Sequence, residues 1–132
     1  MRTRTPNVLQ AVRTVVIADD QSSMRLLVHA TIDSDDYVVL EATDGAMAWT
    51  MIQKQKPSLV LLDMDMPGLS GLEILRLVRS DPAYEGTRVI LLTGKAQETD
   101  VESGLLAGAD FYLTKPFSPL DLLSRVEEAL GL

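Results

Sequence analysis

Five short apolar runs, separated by longer segments of helical period, constrain the fold of this 132-residue chain more than any other feature. The runs are rich in Val, Ile and Leu and mostly do not alternate with polar residues, which is typical of strands covered on both faces in a parallel sheet. They are TVVIA (14–18), YVVL (37–40), SLVLL (58–62), RVILL (88–92) and DFYL (110–113). Five strands alternating with five helices predict an α/β fold of (βα)5 type, a doubly wound parallel five-stranded sheet with helices on both faces.

Capping signals mark several of the predicted helix ends. Ser118 is an N-cap residue and Pro119 suits the first helical position, so the last helix is expected to begin there. Asp44-Gly45 is expected to open the second helix, and Gly108 is expected to close the fourth.

Charge and composition exclude several classes of protein and suggest the domain boundaries. Three of the twelve basic side chains lie in residues 1–13, which hold no acid, so residues 14–132 carry nine basic and nineteen acidic side chains. A domain this acidic argues against nucleic-acid binding, because phosphate contacts need clustered Lys and Arg. The chain has no cysteine, and no apolar stretch approaches the roughly 20 residues that span a bilayer. We therefore expect a cytoplasmic protein without membrane contact, with a flexible basic leader over 1–13 and one domain over 14–132.

Polar side chains stand at the carboxyl ends of the predicted strands. In an open parallel sheet the functional site lies beyond these ends, near the point where the strand order reverses. The side chains there are four acids, a hydroxyl and a lysine: Asp19, Asp20, Asp63, Asp65, Thr93 and Lys115. An acid after a strand is often only a turn residue or a helix cap. Their joint appearance at the same end of four strands nevertheless predicts a site.

The predicted site suits the handling of a phosphoryl group. Neighbouring carboxylates repel one another and need a cation or a raised pKa. Oxygen ligands without His or Cys favour Mg²⁺ over Zn²⁺, and Mg²⁺ takes only one or two carboxylates together with phosphate oxygens. A remaining carboxylate is then free to act as a nucleophile toward phosphorus. The lysine and the hydroxyl would stabilise the phosphoryl oxygens.

The motifs at these strand ends resemble those of response-regulator receiver domains of two-component signalling. The resemblance spans about residues 14–130. The matching motifs, in chain order, are the acidic pair Asp19-Asp20, the block Asp63, Met66-Pro67 and Gly71, then Thr93, Tyr112 and Lys115-Pro116-Phe117. The resemblance implies a flavodoxin-like fold with strand order 2-1-3-4-5, as in the chemotaxis member of the family. It also implies a signalling switch rather than an enzyme.

The resemblance implies a phosphoacceptor and a magnesium site. Asp63 is expected to accept a phosphoryl group from a phosphohistidine on a sensor histidine kinase or a histidine phosphotransfer protein. Asp20 and Asp63 are expected to bind Mg²⁺ through their side chains, and Asp65 through its backbone carbonyl. Asp19 is expected to contribute through a bound water.

A conformational switch is implied as well. Lys115 is expected to pair with the phosphoryl oxygens, Thr93 to move and hydrogen-bond one of them, and Tyr112 to turn inward into the vacated space. The Lys115–Pro116 peptide bond is expected to be cis. Phosphorylation would alter the face formed by helix four, strand five and helix five, roughly residues 97–128. That face would bind a downstream protein or support a phosphorylation-dependent homodimer.

Two variable positions of the family are occupied here by opposite charges, Asp65 and Lys95, each two residues beyond a motif residue. In the family these positions flank the path of the water that hydrolyses the phosphoryl group. One interpretation is that Asp65 and Lys95 bridge across the site and prolong the lifetime of the phosphoaspartate. The other is that both side chains are merely solvated.

Two functions of other classes are weighed against the receiver interpretation. Asp63-Met64-Asp65 resembles the Asp-x-Asp motif of haloacid-dehalogenase phosphatases, but that motif expects Thr or Val where Pro67 stands and normally ends the first strand. A flavodoxin-like FMN carrier would have a phosphate loop rich in Thr and Gly after strand one. This chain has the anion-repelling pair Asp19-Asp20 there instead.

Overall fold

The computed structural model describes residues 13–94 and 98–132. It consists of a five-stranded parallel sheet with strand order β2-β1-β3-β4-β5, which confirms the predicted fold and strand order. The elements are β1 (Thr14–Ala18), α1 (Ser22–Ile32), β2 (Val38–Ala42), α2 (Gly45–Gln55), β3 (Leu59–Asp63), α3 (Gly71–Ser80), a 3-10 turn (Pro82–Tyr84), β4 (Arg88–Thr93), α4 (Glu98–Leu106), β5 (Phe111–Thr114) and α5 (Pro119–Leu130).

Helices cover both faces of the sheet and divide the core into two apolar layers. On one face, Ile52 of α2 and Ile74 and Leu75 of α3 pack against inward side chains of β1, β3 and β4. On the other face, Val28 of α1 and Leu122 of α5 pack against the alternate side chains of the same strands. The alternation of side chains along each strand therefore supplies both layers.

The two edge strands differ from the sequence-based expectation. The expectation that strands are covered on both faces holds for β1, β3 and β4, whose residues are almost all buried. It is wrong for β2 and β5, which lie at the edges and are largely half-buried, with Val38 exposed by 48%. An apolar run alone does not distinguish an edge from a central position, because both can be rich in Val and Leu.

Helix caps agree with the sequence signals and add one more. Asp44 accepts a hydrogen bond from the backbone N–H of Met47, and Ser118 accepts one from Asp121. Ser70 and Glu73 form a reciprocal capping box at the start of α3, an addition to the caps predicted from the sequence. Gly108, two residues after the end of α4, has φ +108°, a backbone conformation that favours glycine.

A second polar cluster lies at the amino ends of β4 and β5, opposite the predicted site. The guanidinium of Arg79 donates to the backbone carbonyls of Gly108 (2.9 Å) and Thr87 (2.7 Å), and to a carboxylate oxygen of Asp110 (2.9 Å). Asp110 also accepts a hydrogen bond from the backbone N–H of Val89. One arginine therefore connects α3 to the beginning of both strands.

Only the last residue of the predicted leader is described, and it is joined to the domain. Arg13 donates from Nη1 to the carbonyl of Leu130 (2.6 Å), and its own carbonyl accepts from Val38 (2.9 Å). The other residues of the predicted leader, 1–12, lie outside the described residues. Among the described helices, none has the length and apolar character that crossing a membrane requires.

Gly71 allows the close approach of α3 to the end of β3. A Cβ atom at Gly71 would lie 2.3 Å from the backbone oxygen of Asp63, whereas a Cβ at Gly86 would meet nothing within 4 Å. We expect Gly71→Ala to lower the free energy of unfolding by roughly 1–3 kcal/mol, as overpacking does. Gly86→Ala, measured by urea denaturation in parallel, is the matched control and should change stability little. Equal stabilities of the two variants would contradict this account.

Candidate functional site

Three carboxylates meet at the carboxyl ends of β1 and β3. Asp19 and Asp20 directly follow β1, and Asp63 is the last residue of β3. One oxygen from each of the three side chains lies within 4.8 Å of the others. Asp19 and Asp63 are buried, and Asp20 is exposed. The cluster lies where the chain reverses its order of adding strands, between β1 and β3, as expected for a ligand site in such a sheet.

Lys115 reaches this cluster from the end of β5. Its Nζ lies 3.1 Å from Oδ2 of Asp19 and 3.4 Å from Oδ2 of Asp63. Its backbone N–H donates to the carbonyl of Thr93 (2.7 Å), which holds the β5 end against the β4 end. The Lys115–Pro116 peptide bond is cis, as the resemblance implied. The structure thus brings together residues from three separate strand ends around one lysine.

Burial dominates the electrostatics of Asp63. Removal of the carboxylate from water raises the pKa of Asp63, and the nearby charge of Asp19 adds to that effect. The backbone N–H of Asp65, which donates to Oδ1 at 3.1 Å, and the ammonium group of Lys115 both lower the pKa of Asp63. Since the net direction remains upward, the ionised carboxylate is under-stabilised and would gain from an additional cation.

The hydroxyl predicted to act as a switch is buried at the end of a strand. Thr93 is the last residue of β4 and is 0% exposed. The register pairs Thr93 with Thr114 of β5 and pairs Leu92, its neighbour in β4, with Asp63 of β3. Thr93 therefore stands at the same edge as the acidic cluster, between the strand that carries Asp63 and the strand that leads to Lys115.

Tyr112 connects this edge to α4. Its hydroxyl lies 3.3 Å from the Sδ of Met64, the residue that follows Asp63. Its ring lies close to α4, because a Cβ atom at Gly104 would be 2.9 Å from the ring. Burial raises the pKa of Tyr112, and the charges of Asp100 and Asp65 raise it further. The phenol therefore stays protonated and is the donor in its contact with Met64.

Lys95, the predicted partner of Asp65, lies outside the described residues. The side chain of Asp65 itself is exposed. The proposed Asp65–Lys95 bridge stays a prediction.

Sequence reasoning missed a polar network beside Asp19. The guanidinium of Arg25 on α1 donates to the backbone carbonyl of Asp19 (2.7 Å) and pairs with Glu41 of β2 (3.3 Å). Glu41 also contacts the Nδ1 of His29 at 2.6 Å. This proximity lowers the pKa of Glu41, with the hydrogen bond to His29 as the largest cause. The acid near the end of the apolar run of strand two, Glu41, was the available signal.

The donor set fits a hard divalent cation. The three acids offer only carboxylate oxygens, which Mg²⁺ prefers, and the exposure of Asp20 leaves an open side for water and phosphate oxygens. Lys115 is a compensating cation for the two buried acids. Within the part of the chain that the structure describes, Asp19, Asp20 and Asp63 form a group of acids that could hold such an ion, and the predicted ligation by the backbone carbonyl of Asp65 stays a prediction.

Comparisons with known proteins identify the family of this chain. The family model described as "Response regulator receiver domain" matches residues 15–127. The phosphate regulon transcriptional regulatory protein PhoB of Pseudomonas aeruginosa is 37% identical over 118 residues, which are 89% of this chain and 52% of that protein. The DNA-binding response regulator MtrA of Mycobacterium tuberculosis is 34% identical over 116 residues, 88% of this chain and 50% of MtrA. The chain therefore spans about half the length of these curated relatives.

Solved structures of response regulators superimpose on nearly the whole chain. The chemotaxis response regulator CheY4 of Vibrio cholerae superimposes with a TM-score of 0.81 at 30% identity, covering 90% of this chain and 99% of that one. The Francisella response regulator 1452 receiver domain gives a TM-score of 0.83 at 28% identity, covering 90% and 97%. The chain belongs to the family of response regulator receiver domains, the phosphorylation-activated signalling switches of two-component systems.

Proposed function

We propose that Asp63 accepts a phosphoryl group from a phosphohistidine of a sensor histidine kinase or a histidine phosphotransfer protein, with Mg²⁺ held by the acidic cluster. The observation that carries the proposal is the environment of Asp63. Its carboxylate is buried, lies beside Asp19 and Asp20, and is in contact with Lys115. Such a group is under-compensated in the free protein and suited to a metal and a phosphoryl group arriving together. The proposal keeps the cytoplasmic location expected from the sequence.

The transfer makes one bond and breaks one. An oxygen of ionised Asp63 forms the new P–O bond while the P–N bond of the phosphohistidine breaks, and the departing imidazole nitrogen keeps the electron pair and takes up a proton from water. Oδ1 is held by the backbone N–H of Asp65, and Oδ2 faces Lys115. When bound, Mg²⁺ would neutralise charge on the phosphoryl oxygens and the carboxylates. Lys115 is placed to follow the charge from the carboxylate to the transferred group.

The switch would run from Thr93 and Tyr112 to the face formed by α4, β5 and α5. A phosphorylated Asp63 offers new acceptor oxygens at the strand edge where Thr93 stands, and Thr93 would move to donate to one of them. Tyr112 packs between Met64 and α4, so its rearrangement would be felt by α4. Leu106 and Leu120 on this face are 80% and 78% exposed, which suits protein contact.

The partner on that face is a downstream protein, and a second phosphorylated copy of the chain is an alternative. PhoB and MtrA are named as a transcriptional regulator and a DNA-binding regulator. The acidic composition of this chain supports no nucleic-acid contact of its own. Receiver-family membership favours the switch over the haloacid-dehalogenase phosphatase and the FMN carrier. In this function the domain assists its own phosphorylation and dephosphorylation but acts on no other substrate.

Phosphorylation at Asp63 is tested by mass spectrometry after incubation with acetyl phosphate and Mg²⁺. Wild type should gain about 80 Da, the mass of HPO₃, and Asp63→Asn should gain nothing, because it lacks the nucleophile. Asp35→Asn, an exposed acid before β2, is the matched control and should be labelled like the wild type. Equal labelling of Asp63→Asn would refute the assignment.

Burial of Asp63 predicts that Asp63→Asn stabilises the metal-free protein. Because the folded-state pKa of Asp63 lies above its ordinary value, ionisation weakens folding at neutral pH, and protonation removes this penalty as the pH falls. We expect a gain of roughly 0.5–2 kcal/mol in the free energy of unfolding near pH 7, which shrinks on acidification through the carboxyl range. Urea denaturation with EDTA at several pH values measures it, with Asp35→Asn as the control for one lost charge. A less stable Asp63→Asn at neutral pH would contradict the prediction.

The predicted bridge between Asp65 and Lys95 would prolong the lifetime of the phosphoryl group on Asp63. If Lys95 shields the phosphoaspartate from water, Lys95→Ala should lose the added mass several-fold faster than wild type in a time course after removal of acetyl phosphate. Lys54→Ala, which removes an exposed lysine of α2, is the control. If Lys95→Ala loses the phosphoryl group at the wild-type rate or more slowly, the proposed bridge is wrong.

A further inference from the structure

We propose that Arg25 is a positioning residue for the acidic cluster, which would hold Mg²⁺, and that it acts through the backbone of Asp19. This inference rests on the proposed function, because it takes Asp19, Asp20 and Asp63 as the residues that hold the ion. Arg25 lies on the first turn of α1 and does not itself belong to the cluster. Its guanidinium instead connects the end of β1 to the neighbouring edge strand β2.

The contacts of Arg25 are specific in geometry and largely shielded from water. Nη1 donates to the carbonyl oxygen of Asp19 at 2.7 Å, and Nε pairs with Oε1 of Glu41 at 3.3 Å. The side chain of Arg25 is only 14% exposed. Two nitrogens of one planar fork are thus engaged in different directions, which a lysine cannot reproduce.

The carbonyl that Arg25 holds belongs to the peptide unit joining Asp19 to Asp20. The preceding peptide unit is held as well, since the N–H of Asp19 donates to the carbonyl of Ala42 at 3.2 Å. The two carboxylate oxygens of Asp19 accept from the N–H of Gln21 (2.9 Å) and from Lys115 (3.1 Å). The orientation of the Asp19–Asp20 peptide plane sets the direction in which the exposed side chain of Asp20 leaves the backbone. Arg25 therefore helps to orient Asp20, the exposed member of the cluster, whose side chain is not fixed by burial.

Glu41 and His29 hold Arg25 in turn. Glu41 uses one carboxylate oxygen for Arg25 and the other for Nδ1 of His29, at 2.6 Å. Glu41 precedes Ala42, the residue whose carbonyl anchors the N–H of Asp19. The end of β2 consequently holds Asp19 in two ways. The backbone carbonyl of Ala42 accepts from Asp19 directly, and Glu41 holds Arg25, which donates to the carbonyl of Asp19.

Two roles of Arg25 predict opposite changes in magnesium affinity. If Arg25 matters only as a nearby positive charge, its removal should tighten Mg²⁺ binding, because like charges repel. If Arg25 positions the ligands, its removal should weaken Mg²⁺ binding, as loss of a residue that orients metal ligands typically does by 10–100-fold. The direction of the change therefore separates the two roles.

The experiment is a calorimetric titration of the unphosphorylated protein with MgCl₂ alone. Wild type is compared with Arg25→Met and with Arg25→Lys, which keeps the charge but loses the fork. Arg79→Met is the matched control, because Arg79 also donates to backbone carbonyls and to a carboxylate, but at the opposite end of the sheet. Thermal unfolding of each variant without Mg²⁺ measures its stability separately.

The proposal expects a Kd for Mg²⁺ about tenfold weaker in Arg25→Met. Arg25→Lys should lie between this variant and the wild type, and Arg79→Met should bind like the wild type even where its melting temperature falls. The proposal is overturned by unchanged or tighter binding in both Arg25 variants, or by an equal weakening in Arg79→Met. If Arg25→Met does not fold, Arg25→Lys alone decides between these outcomes. Failure of the wild type to bind Mg²⁺ would overturn the proposed function and this inference with it, so the two failures are distinguishable.

Discussion

The site depends on keeping two buried carboxylates, those of Asp19 and Asp63, next to one another with the ammonium group of Lys115 between them. Lys115 contacts both, at 3.1 and 3.4 Å, yet burial still raises the pKa of Asp63. Repulsion between desolvated acids is tolerated because the buried strands β1 and β3 fix the strand ends that carry them. In the proposed function this under-compensated negative charge favours a divalent cation, which in turn would offset the charge of the incoming phosphoryl group.

Both ends of the sheet use an arginine to connect backbone carbonyls to a carboxylate. Arg79 does so at the amino ends of β4 and β5, through Asp110, and Arg25 does so at the carboxyl end of β1, through Glu41. The chemistry is alike, but the consequences differ with location. At the amino ends the network is structural, whereas at the carboxyl ends it borders the acidic cluster and can influence ligand geometry.

Much of the fold and of the site could be predicted from local signals. Apolar runs, the N-cap Ser118 and the acids at the strand ends were readable because each depends on neighbours in the sequence. The exposure of β2 and β5 was not, since an edge position is decided by strand order, which the family resemblance implied but the composition of the apolar runs does not show. Arg25 escaped notice for a similar reason, because its partners Asp19 and Glu41 become neighbours only when β1 pairs with β2.

The sequence by itself determined the alternation of strands and helices, the polar residues at the strand ends and, through their motifs, the family. These features follow from periodicity and spacing, which the chain carries in one dimension. The tertiary structure decided the burial of Asp19 and Asp63, the contact of Lys115 with both, and the grip of Arg25 on the carbonyl of Asp19. Burial and electrostatic shifts are properties of packing in three dimensions, so the pKa of Asp63 is raised only when folding buries its carboxylate beside Asp19.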